Sequence, residues 1–365
     1  MKKLALLLTL IMALTIIPVS AADNDTITVY NWGQYISDGT DGYIDVIEAF
    51  TEETGIKVNY VTYDSNETLY TKLKTGGANY DVIIPSDYMI GRMIAEDMLE
   101  PLNFDNIPNY QYIDETFHSP SYDPDDMYSV PYTWGTVGLI YNTKYIQDEI
   151  TSWDALWNED YEGKILMFDN SRDAFGIAEL LNGHSINTTD SAELEAAADL
   201  LKDQKPLVQS YVMDQIFDKM QREEAWIAPY YAGDFLLMAE ENPNLAFALP
   251  DEGFNMFVDA MCIPKGAENK EGAEAFINFI CDPEISGENL EWLGYSTPIS
   301  AAKEFMDPEV AESPVAYPDD SVLENGSSFL NLTTEANQEM EALWLDVKTA
   351  GTDTNLYMIL GGVAA

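Results

Sequence analysis

Three extended runs, Ile27-Thr28-Val29-Tyr30, Ile56 to Val61 and Tyr80-Asp81-Val82-Ile83-Ile84-Pro85, are separated by two stretches of helical periodicity. Strand alternating with helix in this way dictates a parallel sheet, because parallel neighbours need a crossover that a helix fills. The first helical stretch, Gly42 to Thr54, puts Ile44, Ile47 and Phe50 on one face and closes at Gly55; the second, Glu67 to Lys74, stops at Gly76-Gly77. The third strand is continuously apolar, as expected of one buried on both faces. Ligands of such sheets sit beyond the carboxyl ends of the strands. There the first run empties into Asn31-Trp32-Gly33-Gln34-Tyr35, and the third into Ser86-Asp87-Tyr88, ahead of a helix to about Asp97. Taken alone, these aromatics read equally well as packing and as binding surface.

From Leu102 to Tyr128 the chain is loop-rich, and Ser129 to Tyr141 then resumes as extended apolar structure interrupted by Gly135, a crossing between two lobes. A second strand-helix series follows. It comprises a short helix at Ser152 to Trp157, a strand at Lys164 to Asp169, a helix begun near Asp173 and one at Ser191 to Lys202 capped by Thr189 and Asp190. A helix at Asp214 to Glu224 leads into the strand Ala225 to Tyr231, which ends at Gly233-Asp234. Leu245 to Leu249 is one more strand. Asn255 to Asp259 crosses back, Ala260 to Pro264 rejoins the first lobe, and helices at Lys270 to Ile280 and Pro283 to Leu293 cover it. From Val322 onward the pattern is helical and expected to pack on the second lobe. The apolar end Leu356 to Ala365 is too short to cross a membrane.

Met1-Lys2-Lys3, the apolar run Leu4 to Val19 and small residues Ser20-Ala21-Ala22 have the form of a secretory leader, residues 1–21, which predicts an extracytoplasmic protein. Formal charge is −47, and loss of Lys2 and Lys3 with the leader gives −47 − 2 = −49 for the mature chain. That excludes nucleic acid and anionic lipid as natural partners and suits a cationic ligand, although most of the excess reads as surface solubility. Cys262 and Cys281 fall in apolar segments, and whether they pair is left open. His118 and His184 read as surface residues in polar loops. No Cys or His has metal-site or nucleophile spacing, so neither metal nor cofactor is expected.

Collected together, the strand ends supply Trp32, Tyr35, Ser86, Tyr88, the turn Asp169 to Asp173, Tyr231 with Asp234, and Phe257 with Asp259. Ring faces attract ammonium groups and cover methylenes, while separated carboxylates fix the ends of an extended cation. Asp173, at a helix start, is also readable as a cap. A glycosidase would likewise place two carboxylates among aromatics, and a sugar-binding protein would use the same walls with more amide and hydroxyl donors.

Several segments carry a resemblance over nearly all of the mature chain: Tyr30-Asn31-Trp32, Thr62 to Glu67, Lys72 to Thr75, Tyr80 to Ser86, Val130 to Gly135, Thr151-Ser152-Trp153 and Asn269 to Ala273. The sequence resembles the spermidine/putrescine-binding proteins of bacterial ABC importers. The resemblance implies an α/β, type II periplasmic-binding-protein fold of two interleaved lobes with a ligand cleft between them. Residues 22–134 and 259–304 would form lobe 1, and 135–258 with 305–365 lobe 2. It further implies a monomer that closes on a polyamine by hinge motion and docks on a membrane permease.

Carried over by position, Trp32, Gly33, Tyr35, Ser86 and Tyr88 match the first lobe's contacts. Asn170, Asp173, Tyr231, Asp234, Phe257 and Asp259 complete the ligand-binding set, with Asp259 holding an ammonium group. Tyr231 stands where the family usually has Trp. Asn170 replaces an acid of spermidine-preferring members, and Gln34 replaces an acid after Trp32 and Gly33. Asp234 and Phe257 lean the reading toward putrescine, whereas Tyr88 looks like the spermidine type.

Overall fold

The computed structural model describes residues 26–76 and 79–351. The leader expected at 1–21 and the end Leu356 to Ala365 therefore lie outside the described residues. In the first lobe β1 (Thr26–Trp32) runs parallel between β2 (Lys57–Tyr63) and β3 (Val82–Ile83). The crossovers are α1 (Val46–Thr54) and α2 (Asn66–Thr75), with α3 (Asp87–Ala95) leaving the third strand. Helix α1 is shorter than its periodicity suggests. Asp45 caps it by accepting from the Glu48 N–H, and Thr40–Gly42 forms a separate turn in which Asp41 has φ 57°. Gly55 ends the helix at φ 76°, a left-handed geometry that glycine adopts without strain. Strand β3 pairs over only two residues, and beyond it the Ile84 carbonyl accepts from Trp32 Nε1 at 2.9 Å and the Tyr63 hydroxyl at 2.6 Å.

The chain then enters β4 (Ser129–Asn142), a single strand of 14 residues. Gly135 does not interrupt it. A side chain there would meet Phe257, whose Cζ lies 2.8 Å from the Cβ position, so the glycine makes room for a ring rather than a break. The second series comprises β5 (Ile165–Phe168), α4 (Ser171–Leu181), α5 (Ser191–Gln204), β6 (Val208–Val212), α6 (Ile216–Gln221), β7 (Ile227–Tyr231), α7 (Ala232–Glu241) and β8 (Leu245–Ala248). Strand β6 escapes the sequence pattern because it is a half-buried edge with no apolar alternation. Helix α6 is shorter than expected, and Asp214 precedes it. Gly233 and Asp234, read as the end of a strand, belong to the first turn of α7 instead; Gly233 is there because a Cβ would lie 2.4 Å from the Tyr295 ring.

Strand β9 (Phe254–Cys262) returns in one piece, followed by α8 (Lys270–Ile280) and α9 (Pro283–Leu293). The remainder is less helical than its pattern suggests: α10 (Pro308–Ala311), α11 (Asp320–Leu323), the short β10 (Gly326–Ser327) and α12 (Thr334–Thr349). Strand order is β2-β1-β3-β9-β4-β7-β5-β6, with β8 on β4 and β10 on β9. Strands β4 and β9 form an antiparallel ribbon from Ser129↔Cys262 to Thr136↔Met256, and from Val137 onward β4 pairs with β7. Both parallel sets, β1–β3 and β5–β7, thus hang on one ribbon.

Phe50 packs against Phe276 and Phe279 beneath the first sheet, at ring distances of 5.2 and 5.5 Å. Trp344 of α12 meets Phe175 and Tyr211 of the second lobe, as expected for the C-terminal helix. Cys262 and Cys281 are buried free thiols. Neither histidine is a bare surface residue: His118 Nε2 lies 3.1 Å from the Ile113 carbonyl, and His184 Nδ1 lies 3.3 Å from Glu193.

Candidate functional site

All six parallel strands end at one cavity of about 100 Å³, lined from both lobes. The structure brings all eleven expected residues to it. Trp32, Gly33 and Tyr35 follow β1, Ser86 and Tyr88 follow β3, and Asn170 and Asp173 follow β5. Tyr231 ends β7, Asp234 lies in the first turn of α7, and Phe257 and Asp259 project from the ribbon. At Gly33 the two lobes come close, a Cβ position there lying 3.5 Å from Asp214 Oδ2.

The walls are aromatic and mutually braced. Trp32 packs against Tyr63 at 4.7 Å, Tyr35 edge-on against Tyr295 at 5.3 Å, and Phe257 edge-on against Tyr231 at 5.4 Å. Phe257 also reaches Tyr295 at 6.2 Å, and Tyr88 meets Phe329 at 6.0 Å. These separations are those of favourable edge-to-face pairs, so the rings form a fixed wall. Behind Phe329, the Arg172 guanidinium stacks at 4.4 Å and donates to Asn187 Oδ1 and the Leu330 carbonyl.

Seven carboxyl groups line this wall: Asp64, Glu67, Asp87, Asp173, Asp214, Asp234 and Asp259. No lysine, arginine or histidine is among the described lining residues. The tyrosine hydroxyls donate to the acids. Tyr35 gives its hydroxyl hydrogen to Asp259 Oδ2 at 2.6 Å, Tyr231 to Asp173 Oδ2 at 2.9 Å and Tyr88 to Glu67 Oε1 at 2.9 Å. Asn170 caps α4 by accepting from the Asp173 N–H at 2.8 Å, and its amide donates to Asp173 Oδ2 at 2.7 Å. Asn170 is thus the helix cap, which leaves Asp173 to the cavity. With these donors already committed, the lone pairs still open are acceptors.

Burial raises Glu67, Asp87, Asp173, Asp214, Asp234 and Asp259. Asp259 is pushed up to about 6 by burial, against hydrogen bonds from Ser86 and Tyr35. Asp234 rises to about 7, again by burial, with the Tyr295 hydroxyl opposing and Asp214 adding to the shift. Burial also raises Asp173 against Asn170 and Tyr231, and Glu67 against Tyr88. Asp87 is pushed well above the usual range by burial and then by Asp259, against the Tyr88 amide. In each case burial outweighs the groups that favour the charged form. A cation placed among these groups would reverse that balance.

Sequence reasoning missed Asp64, Glu67, Asp87 and Asp214, as well as Tyr63, Tyr230, Tyr295 and Phe329. Asp64 directly follows β2 and Asp214 lies two residues beyond β6, the kind of position that identified the others. Asp87 reads in sequence as an ordinary acid in the first turn of a helix.

Comparison with known proteins accounts for this architecture. The family described as bacterial extracellular solute-binding protein matches residues 45–318. The spermidine/putrescine-binding periplasmic protein of Salmonella typhimurium is 37% identical over 86% of this chain and 89% of its own length. A solved Listeria monocytogenes structure superposes with a TM-score of 0.85 at 38% identity, covering 89% of this chain and 99% of that one. The spermidine/putrescine ABC transporter substrate-binding protein PotD of Streptococcus pneumoniae gives 0.76 at 37% identity over the same shares. The two-lobed α/β binding-protein fold expected from the resemblance is the one these relatives share, and the chain belongs to the family of bacterial extracellular solute-binding proteins.

Proposed function

We propose that this chain is an extracytoplasmic polyamine-binding protein, taking putrescine or spermidine and delivering it to the membrane permease of an ABC importer. The observation that carries the reading is the cavity's charge pattern: seven carboxyl groups and, among the described residues, no basic one line its aromatic walls. Protonated amines supply the missing positive charge and hydrogen-bond donors, and methylenes between them fill the gaps along the rings. The names of the similar proteins support the same ligand class. Among the described residues no helix is long and apolar enough to cross a membrane.

In this reading the protein acts as a monomer and a carrier rather than a catalyst, with no nucleic-acid partner. We assign residues 22–134 and 259–304 to lobe 1 and 135–258 with 305–365 to lobe 2, of which 22–25, 77–78 and 352–365 lie outside the described residues. Trp32, Phe257 and Tyr231 wall the chain of methylenes, while Asp173, Asp234 and Asp259 face the ammonium groups. Isothermal calorimetry of the purified chain with putrescine, cadaverine, spermidine and spermine tests the assignment, with oligosaccharides and a glycoside-hydrolysis assay alongside. We expect saturable binding of at least one polyamine and no glycoside turnover. Binding of sugars and not amines would overturn it.

A further inference from the structure

Phe329 reaches the cavity from residues 328–332, the segment between β10 and α12, and polar contacts pin that segment to the second lobe. Asn187 donates through Nδ2 to the Ser328 carbonyl at 2.9 Å and accepts from the Leu330 N–H at 2.7 Å. Arg172 Nη2 donates to the Leu330 carbonyl at 3.1 Å and to the same Asn187 Oδ1 at 2.8 Å, so the guanidinium closes the clamp. The Phe329 ring rests on Gly176 of α4, where a Cβ would stand 3.0 Å from its Cζ.

What holds Arg172 itself is a separate matter. It is only 5% exposed, and its Nε and Nη1 have no hydrogen-bond partner. Glu179 has no exposure at all, and neither of its carboxylate oxygens has a partner. Both residues belong to α4, and their spacing, with Gly176 between them, sets them two turns apart on one face. A fork with two open donors and a carboxylate with two open acceptors, buried on the same face, are complementary in number, charge and shape, directly or through water. Burial works against the Arg172 charge, and Glu179 is the largest influence opposing it, ahead of Tyr88, Asp87 and Asp173. Burial likewise pushes Glu179 up to about 7, with Arg172 opposing and Glu193 adding to the shift.

We propose that Glu179 is the counter-charge of Arg172 and, acting through it, a positioning residue that keeps Phe329 in place as a wall of the cavity. Asp87 and Asp173 line the cavity, whereas Glu179 is not among its lining residues. A counter-charge at Glu179 therefore leaves both cavity acids to a bound cation, and it offsets a guanidinium that stands 4.4 Å behind the Phe329 ring. The positioning role stands on the fold alone; its effect on affinity rests on the polyamine reading.

Hydrogen exchange of residues 328–332, read by mass spectrometry at about pH 8 where Glu179 carries its charge, tests the role with no ligand added. Glu179→Gln keeps the shape of the side chain and removes the charge. It is expected to speed exchange of that segment about tenfold, to leave β5 and β7 unchanged, and to add less than about twofold once Arg172→Met has removed the guanidinium. By calorimetry, Glu179→Gln should weaken putrescine or spermidine about three- to tenfold, with no further loss in a Phe329→Ala background. Unchanged exchange in Glu179→Gln overturns the proposal, as does unchanged affinity. Faster exchange spread evenly over both lobes also overturns it, and so does an equal effect with and without Arg172, since Glu179 would then only fill space in the second lobe. Should Arg172→Met fail to fold, the Phe329→Ala background makes the same comparison on affinity. If the wild-type chain binds neither polyamine, the polyamine reading fails, and the exchange result still decides the role of Glu179.

Discussion

Glu96 on the first lobe and Asp234 in the cavity are both partly withdrawn from water, yet they end at opposite extremes. Burial alone would raise Glu96. Hydrogen bonds from Tyr70, Lys74 and Arg92 overcome it and hold the carboxyl at about 2. Lys74 and Arg92 also make ion pairs with it at 2.9 and 3.2 Å. Asp234 has a tyrosine and another acid as neighbours instead, and rises to about 7. The surface acid is complete within the chain, whereas the cavity acid is not. A strongly acidic protein can therefore carry most of its charge for solubility and still reveal its site, by which acids lack a partner.

The largest test of this contrast is Asp259→Asn. Losing one member of a buried charge pair costs about 3–5 kcal/mol, so polyamine affinity should fall at least about a hundredfold by calorimetry; unchanged affinity would place the ligand elsewhere. Tyr35→Phe removes one hydrogen bond to the same carboxylate and should cost about 1.5–3 kcal/mol of binding. Next comes pH. Asp259 at about 6 and Asp234 at about 7 lie above the unfolded value of about 3.9. Their contribution to the stability of the free protein is therefore full below about pH 4 and lost as pH rises through about 6 and 7. A bound cation favours the charged forms, so affinity should climb over that window with proton release. A flat affinity profile from about pH 5 to about pH 8 would contradict the cavity's charge deficit. Smallest is Glu96→Gln, where exposed pairs are worth up to about 1 kcal/mol. We expect a melting shift under about 3 °C and unchanged affinity.

The parallel architecture was legible because strand, helix and glycine stop alternate cleanly from Ile27 to Pro85, and each local preference agrees with the fold. The aromatic half of the cavity was legible for the same reason, since Trp32, Tyr88 and Tyr231 end or follow predicted strands. The acidic half was less so. Strand β6 is a polar edge, so nothing in the pattern marked Asp214 as following a strand. Asp87 and Glu67 lie in the first turns of helices, where an acid is favoured by the helix dipole whatever it faces. Tyr295 and Phe329 arrive from segments far along the chain, and only the close approach of Gly233 to Tyr295 explains why one of them fits.

The ribbon of β4 and β9 bears on how the two lobes can move. Trp134 pairs with Val258 and Gly135 with Phe257, and the Trp134 N–H donates to the Ser296 carbonyl at 3.2 Å, so the backbone at the crossing is held on both sides and is not a slack tether. A change in the angle between lobes must then be absorbed as extra twist spread over several residues, the way a torsion bar stores rotation, since strands twist readily but resist sharp bending. Such a bar has a restoring torque. If the lobes close on a ligand, part of the free energy of binding would be held in the twisted ribbon, and returning it would help reopen them when the ligand leaves. Measured affinity would then be lower than the contacts alone suggest, and ribbon stiffness would set how quickly cargo is surrendered.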